Sequence, residues 1–282
     1  MRKKIVAILV AVVAFCTQHA NGETQLDVQF GNGLQAFGYD VVSGDDVFEL
    51  GTAKKHWGCN IGGVINHYFN HGIGLQGGVR MYLYRTTCML DSTEHYMTRD
   101  VVNGMDCRRS VHYRDWNERQ TNLLLAIPVG FAYKTDISEN MDFYAGVGVE
   151  LLLPLVSRYK VKEGNISVSG YYECYDVEFS DMPVHNFTTY NETPKGKFST
   201  KVGVAGYLDA GVRYHLAKCD LSAGLYLSYG FSNVATDNEG HLFDLNNKYS
   251  GVLNSQTVEK VNPVAFGLKI GVTLPLNKPN NN

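Results

Sequence analysis

The chain has 282 residues, with 25 Lys and Arg against 28 Asp and Glu, a formal net charge of −3. That balance lacks the basic field a nucleic-acid binder needs, so no nucleic-acid partner is expected. Glycine is abundant at 29 residues, and no apolar run after residue 22 approaches the ~20 residues of a membrane-spanning helix.

Met1-Arg2-Lys3-Lys4 is a short cationic stretch, and Ile5 to Phe15 is an unbroken apolar run. A polar stretch, Thr17 to Gly22, follows, with small Ala20 and Gly22 flanking Asn21. This is the layout of a secretory leader, and the apolar run is too short to cross a bilayer. Residues 1–22 are therefore expected to be removed on export; they carry three cations and no acids, so the charge moves from −3 to −6. Phe15 is too bulky to precede a lipid-modified Cys16.

The rest of the chain alternates with a period of two. Leu26 to Tyr39 and Trp57 to Tyr68 are the weaker segments. In Ile73 to Leu83, apolar Ile73, Leu75, Val79, Met81 and Leu83 alternate with Gly74, Gln76, Gly78, Arg80 and Tyr82. The same pattern recurs over Leu123–Tyr133, Phe143–Leu153, Val202–His215, Leu221–Phe231 and Val264–Leu274, making eight strands. Each runs ten residues or more, whereas an average soluble strand has about 5–6 and a tilted membrane strand needs about 9–11. The second face is rich in glycine. Glycine weakens a solvated strand without a packing gain. It suits a narrow eight-stranded lumen, which is only just wide enough for side chains.

The connections alternate short and long. Asn70–Gly72, Lys134–Asn140 and Ala217–Cys219 are short; 40–55, 86–119, 157–200 and 233–261 are long. Outer-membrane barrels have short periplasmic turns and long extracellular loops. The expectation is an all-β, eight-stranded antiparallel transmembrane up-and-down barrel over residues 23–276, with a polar tail at 277–282. Strand-end aromatics such as Trp57, Tyr133 and Tyr229 suit the girdles at the two membrane interfaces. Pro128 and Pro154 sit inside strands, where each marks a bulge or a local break in pairing.

The stretches CNIGGVINHYFNHGIGLQGGVRMYLYRT, LLAIPVGFAYK, FYAGVGVELLLPLVSRYKV and VAGYLDAGVRYHL resemble the OmpA-like outer-membrane β-barrel domain family. The resemblance covers strands two to six, with the last two following in register. It implies a barrel in a Gram-negative-type outer membrane, with a role in envelope integrity, surface interaction or small-solute passage. The chain departs from larger members, which carry a peptidoglycan-binding domain after the barrel, and its last strand ends near Leu274-Pro275-Leu276 rather than on a terminal aromatic.

Counted from the periplasmic turns, Arg80, Glu150, Asp209 and Lys269 fall near mid-depth on the lumen face, with Arg213 and Gln76 close by. A narrow lumen cannot keep lone charges, so these are expected to pair into a salt-bridged plug. Cys88 and Cys107 share the second long loop and are candidates for a disulfide, with Cys174 as the competing partner. His95, Ser110, His112 and Asp115 also fall there, but no arrangement marks them as catalytic. No zinc-protease, paired-cysteine or phosphate-loop motif appears, so no enzyme activity, metal or cofactor is expected. The expected partners are outer-membrane lipids and surface ligands or proteins met by the long loops. A small-solute porin and a soluble secreted β-barrel binding protein are the alternative readings.

Overall fold

The computed structural model describes residues 22–41, 50–236, 240–255 and 258–277; the expected leader lies outside them. Eight long strands form a ring: β1 (Glu23–Val41), β2 (Trp57–Tyr68), β3 (Ile73–Arg99), β4 (Asp106–Ser138), β5 (Met141–Tyr172), β6 (Gly203–His215), β7 (Asp220–Gly230) and β8 (Val258–Asn277). Each pairs antiparallel with the next, and β1 also pairs with β8, which closes the sheet. Closure leaves no free edge along the membrane-spanning part, the condition for a sheet in lipid.

Alternation sets the two faces there. Val28, Phe30, Ile61, Val129, Phe131, Val147, Leu208, Leu225, Phe266 and Ile270 are exposed on the outside of the ring. The residues between them point inward and are buried, including Gln29, Gln76, Arg80, Glu150 and Asp209. Exposed Trp57, Tyr229 and Phe231 lie at the outward end of the apolar band; Tyr133 and Tyr214 lie at the other end. Inward glycines make room where side chains cross the lumen. A Cβ on Gly130 or Gly148 would lie 2.6 or 2.9 Å from the Tyr207 hydroxyl.

The largest departure from the sequence expectation is in the middle of the chain. β3, β4 and β5 have 27, 33 and 32 residues, so most of 86–119 and the first part of 157–200 are strand rather than loop. The reason is that the alternation continues with its polarity reversed. Beyond the apolar band the inward face becomes apolar, with Tyr84, Cys88, Leu90, Tyr96, Val111, Tyr113, Trp116, Val161, Ile166 and Val168 buried. The outward face there carries Thr93, His95, Arg114 and Lys162. Here the strands stand in water and the ring encloses an ordinary apolar core.

A phase change accompanies the reversal. The β4–β5 register breaks between Arg114 and Asn117, opposite Asn165 and Glu163. Asp115 takes a φ of 49° and Gly164 a φ of 113°. A Cβ on Gly164 would come within 2.5 Å of the Trp116 Cα, so glycine is required at this bulge. The shift brings Tyr113 as well as Trp116 to the inside. Pro154 also sits at a bulge, opposite Leu124, with the register offset at Leu123. Near Pro128 the β3–β4 ladder skips from Gly77–Val129 to Arg80–Ala126.

The connections differ in kind. At the periplasmic end Asn70–Gly72 is a single tight turn in which His71 has a φ of 75°. The turn expected over Lys134–Asn140 is shorter, because β4 runs to Ser138 and β5 begins at Met141. On the outward side, strand Leu50–Lys55 pairs with β3. The connection after β5 runs back along it through Val177–Phe179, Thr189–Tyr190 and Lys195–Lys197. The segment 240–255 folds into the outward mouth, where Leu242, Phe243, Tyr249, Val252 and Leu253 join the apolar core.

Candidate functional site

The lumen is crossed by two layers of paired charge. In the first, Arg80 from β3 places Nη2 3.0 Å from Asp209 Oδ2, and Lys269 from β8 places Nζ 2.7 Å from the other oxygen, Oδ1. Arg80 Nη1 also lies 3.9 Å from Glu150 Oε2. Glu150 accepts hydrogen bonds from the Tyr82 hydroxyl at 3.3 Å and from Ser228. The guanidinium of Arg80 sits 4.8 Å from the centre of the Tyr207 ring, and Tyr207 donates to Gln76 Oε1 at 3.2 Å. All four charged groups are at most 4% exposed. Two cations face two anions, so the layer carries no net formal charge, which a buried cluster needs.

Arg213 does not join this layer. It donates to Gln25 Oε1 at 2.6 Å and lies 3.3 Å from Asp27 Oδ2, which also accepts from Asn66 Nδ2 at 2.5 Å. Tyr144 separates the layers, its ring 4.9 Å from Lys269 Nζ and 5.3 Å from the Arg213 guanidinium. The partners Gln25, Asp27 and Asn66 lie on β1 and β2, the two weakest segments of the sequence. Asp27 and Gln29, alternating with Val28 and Phe30, were the available signal. Farther toward the periplasm Lys134 pairs with Glu23, and His215 lies 2.9 Å from Asp142 and 3.1 Å from Asp220.

The outward mouth is closed by packing. Glu118, fully buried on β4 outward of the apolar band, accepts from Tyr249 at 2.7 Å, from the Val252 backbone N–H at 3.1 Å and from Gln120 at 2.6 Å. Burial pushes its carboxyl above the ordinary range, although all three hydrogen bonds pull it back. Tyr249 packs edge-on against Trp116 and Tyr159, with ring centres 5.0 and 5.6 Å apart. Tyr96 donates to the Phe243 carbonyl at 3.0 Å and stacks on His241. Arg109 donates to Asn247 at 2.8 Å.

At the outermost tip Asp100 accepts from Tyr172 and from the Val102 backbone N–H at 2.9 Å, and lies 2.5 Å from His185 Nδ1. Burial pushes the Asp100 carboxyl up, but these donors outweigh it and hold it below the ordinary range. Around this knot Val101, Val102, Tyr175, Val177 and Val184 are exposed.

The expected Cys88–Cys107 bridge is absent, and both thiols are free and buried. Cys88 pairs across the hairpin with Glu118 and Cys107 with Thr98, so the long strands hold them many residues apart. Ser110 lies 2.9 Å from His95 Nδ1 and Thr93 lies 2.8 Å from His112 Nδ1, as neighbouring cross-strand pairs outside the ring. Asp115 occupies the bulge. Among the described residues no group of three or more His, Cys, Asp or Glu is placed to hold a metal.

The sequence matches the family described as outer membrane protein beta-barrel domain over residues 7–252. Similar solved structures include the Neisserial surface protein A, at 12% identity over 90% of this chain and 97% of that one, with a TM-score of 0.33. The Ail attachment invasion protein of Yersinia pestis, in complex with the heparin analogue sucrose octasulfate, is 11% identical over 90% and 99%, with a TM-score of 0.31. OprG of Pseudomonas aeruginosa is 9% identical over 92% and 98%, with a TM-score of 0.40. A search of curated proteins finds no match. With the family model covering most of a chain whose strands close into an eight-membered ring, the protein belongs to the outer membrane protein β-barrel domain family.

Proposed function

We propose that the protein is a closed surface-display barrel: its lumen does not conduct, and its function lies in the tower of strands raised beyond the membrane. The observation that carries this reading is double closure. The buried layer of Arg80, Glu150, Asp209 and Lys269 crosses the lumen, and the segment 240–255 fills the outward mouth. A route for small solutes would break both. An apolar core above the membrane holds β3–β5 upright, and the tip presents exposed Val101, Val102, Tyr175 and Val184 to other surfaces. Exposed apolar groups so far from lipid suit recognition of a partner molecule.

The sequence supports export behind residues 1–22, with the apolar band of the ring in contact with outer-membrane lipid and the long connections outside the cell. The reading includes no catalytic step.

The test is single-channel recording of the full-length folded chain in planar bilayers. Silent membranes are the expected result, with folding verified by a band that migrates faster unboiled than boiled on a denaturing gel and incorporation by co-flotation of the chain with the vesicles fused to the bilayer. Reproducible unitary steps in the unaltered protein would overturn the reading in favour of the channel.

A further inference from the structure

Just beyond the apolar band, register gathers six cations in two rows on the outside of the ring. Arg85 of β3 pairs with Thr121 of β4, Thr121 with Arg158 of β5, and Arg158 with Lys197 of the returning strand. The next row outward is Thr87, Arg119, Lys160 and Lys195, paired in the same order. Arg119, Arg158, Lys160, Lys195 and Lys197 are exposed and Arg85 is half-buried. Neighbouring strands lie about 4.8 Å apart, so each row spans roughly 15 Å.

Two features set this patch apart from an ordinary solvated face. Arg119, Lys160 and Lys195 are directly opposite one another, an arrangement that destabilises a sheet unless an anion lies between them. Among the described residues the carboxylates of this face stand farther out: Asp91 on β3, Asp115 at the bulge, Glu163, which accepts from Asn117 at 3.0 Å, and Glu192, in the connector before Lys195. Position is the second feature. Arg85 of β3 and Arg158 of β5 come next on the same face after apolar Leu83 and Val156, and on β4 Arg119 follows Leu123 one step later, after Thr121. Their stems can lie along the apolar surface while their heads reach the level of the lipid headgroups.

The geometry points to a binding surface for a phosphorylated glycolipid of the outer leaflet, with phosphates seated between the two rows and acyl chains lying along β3, β4 and β5. Arginine and lysine side by side suit phosphate oxygens by charge and by hydrogen bonding. The surface is separate from the tip and does not depend on the display reading.

The test uses the full chain in phosphatidylcholine nanodiscs containing traces of bisphosphorylated lipid A or its dephosphorylated form. Lipid retained per protein is counted by mass spectrometry after exchange. The unaltered chain is expected to enrich the bisphosphorylated form by about tenfold, equivalent to ~1.4 kcal/mol. The triple variant R119Q/K160Q/K195Q is expected to lose most of this enrichment, and the control R108Q/K162Q, altered farther out, to keep it. The faster unboiled gel band verifies that each variant is folded. In phosphatidylcholine alone the triple variant should be at least as heat-resistant as the parent, because it relieves like-charge pairs. No enrichment by the parent, undiminished enrichment by the folded triple variant, or complete displacement by excess inorganic phosphate would each overturn the proposal, the last by showing a free-phosphate site.

Discussion

Arg80 and Asp209, 129 residues apart in sequence, meet 3.0 Å from each other inside the lumen, and both are buried. A buried ion pair is expensive to break from one side, because the abandoned partner keeps its charge without compensation. Asp209→Asn strands both Arg80 and Lys269 and is expected to cost about 3–5 kcal/mol. The check is the temperature at which the fast-migrating unboiled band disappears, which should fall markedly for this variant.

The same layer governs permeation. Arg80→Ala and Glu150→Ala each remove bulk and one charge from the buried layer that crosses the lumen. With the mouth segment 240–255 deleted as well, brief conducting steps are expected in planar bilayers from both variants, absent in the likewise truncated parent. Conductance unchanged in both would show that the layer does not set the barrier.

Glu118 makes closure of the outward mouth sensitive to rising pH. Its folded-state carboxyl titrates above the ordinary range because it is buried. A group raised in this way favours the folded arrangement below its unfolded value and loses that contribution as pH rises through the folded one. Limited proteolysis of 240–255 should therefore quicken as pH climbs above the ordinary carboxylate range. Glu118→Gln should flatten that dependence. Tyr249→Phe removes a donor to the buried carboxylate and is expected to loosen the segment by about 1–3 kcal/mol at neutral pH.

Asp100 behaves in the opposite sense. Its donors hold it below the ordinary range, so its contribution is full above the unfolded value and fades as pH falls through the folded one. Hydrogen exchange around 100–105 and 182–187, measured relative to the intrinsic rate at each pH, should accelerate on acidification in the parent. In Asp100→Asn it should already be fast at neutral pH. An unchanged profile in the variant would mean that the knot is held by packing alone.

Gly164→Ala places a Cβ against the Trp116 backbone at a φ that side chains rarely adopt. A penalty of about 1–3 kcal/mol is expected. It should appear as faster proteolysis of the tower while the gel-shift temperature of the membrane ring stays close to that of the parent.

The membrane-spanning ring was legible because each strand repeats one simple pattern, apolar out and small or polar in, for longer than a soluble strand does. Arg80, Glu150, Asp209 and Lys269 could be brought together by counting depth from the turns. Arg213, close by in that count, stands one layer away because counting along a strand does not report barrel stagger; Asp27 and Gln25 lie nearer to it across β1. The tower has the signature of loop in the sequence for a different reason. From Tyr84 to Arg99, and from Asp106 to Gln120, the buried residues fall on the face that is polar lower down, and two bulges shift the phase. A search for one continuous pattern stops where the polarity turns over. The disulfide expectation fails with it, since two cysteines in a flexible loop can meet and two held far out of register on a hairpin, Cys88 opposite Glu118 and Cys107 opposite Thr98, cannot.

The polarity reversal also separates two duties along the same strands. In the tower, packing is carried by inward residues such as Tyr113, Trp116 and Ile166, while Thr93, His95, Arg114 and Lys162 face water. Alternation makes those two sets independent letters of one text. The outward letters can drift toward almost any polar composition without disturbing the interior that keeps the strands upright. A surface of this kind can change its chemical appearance to an observer outside the cell while the scaffold beneath it stays the same.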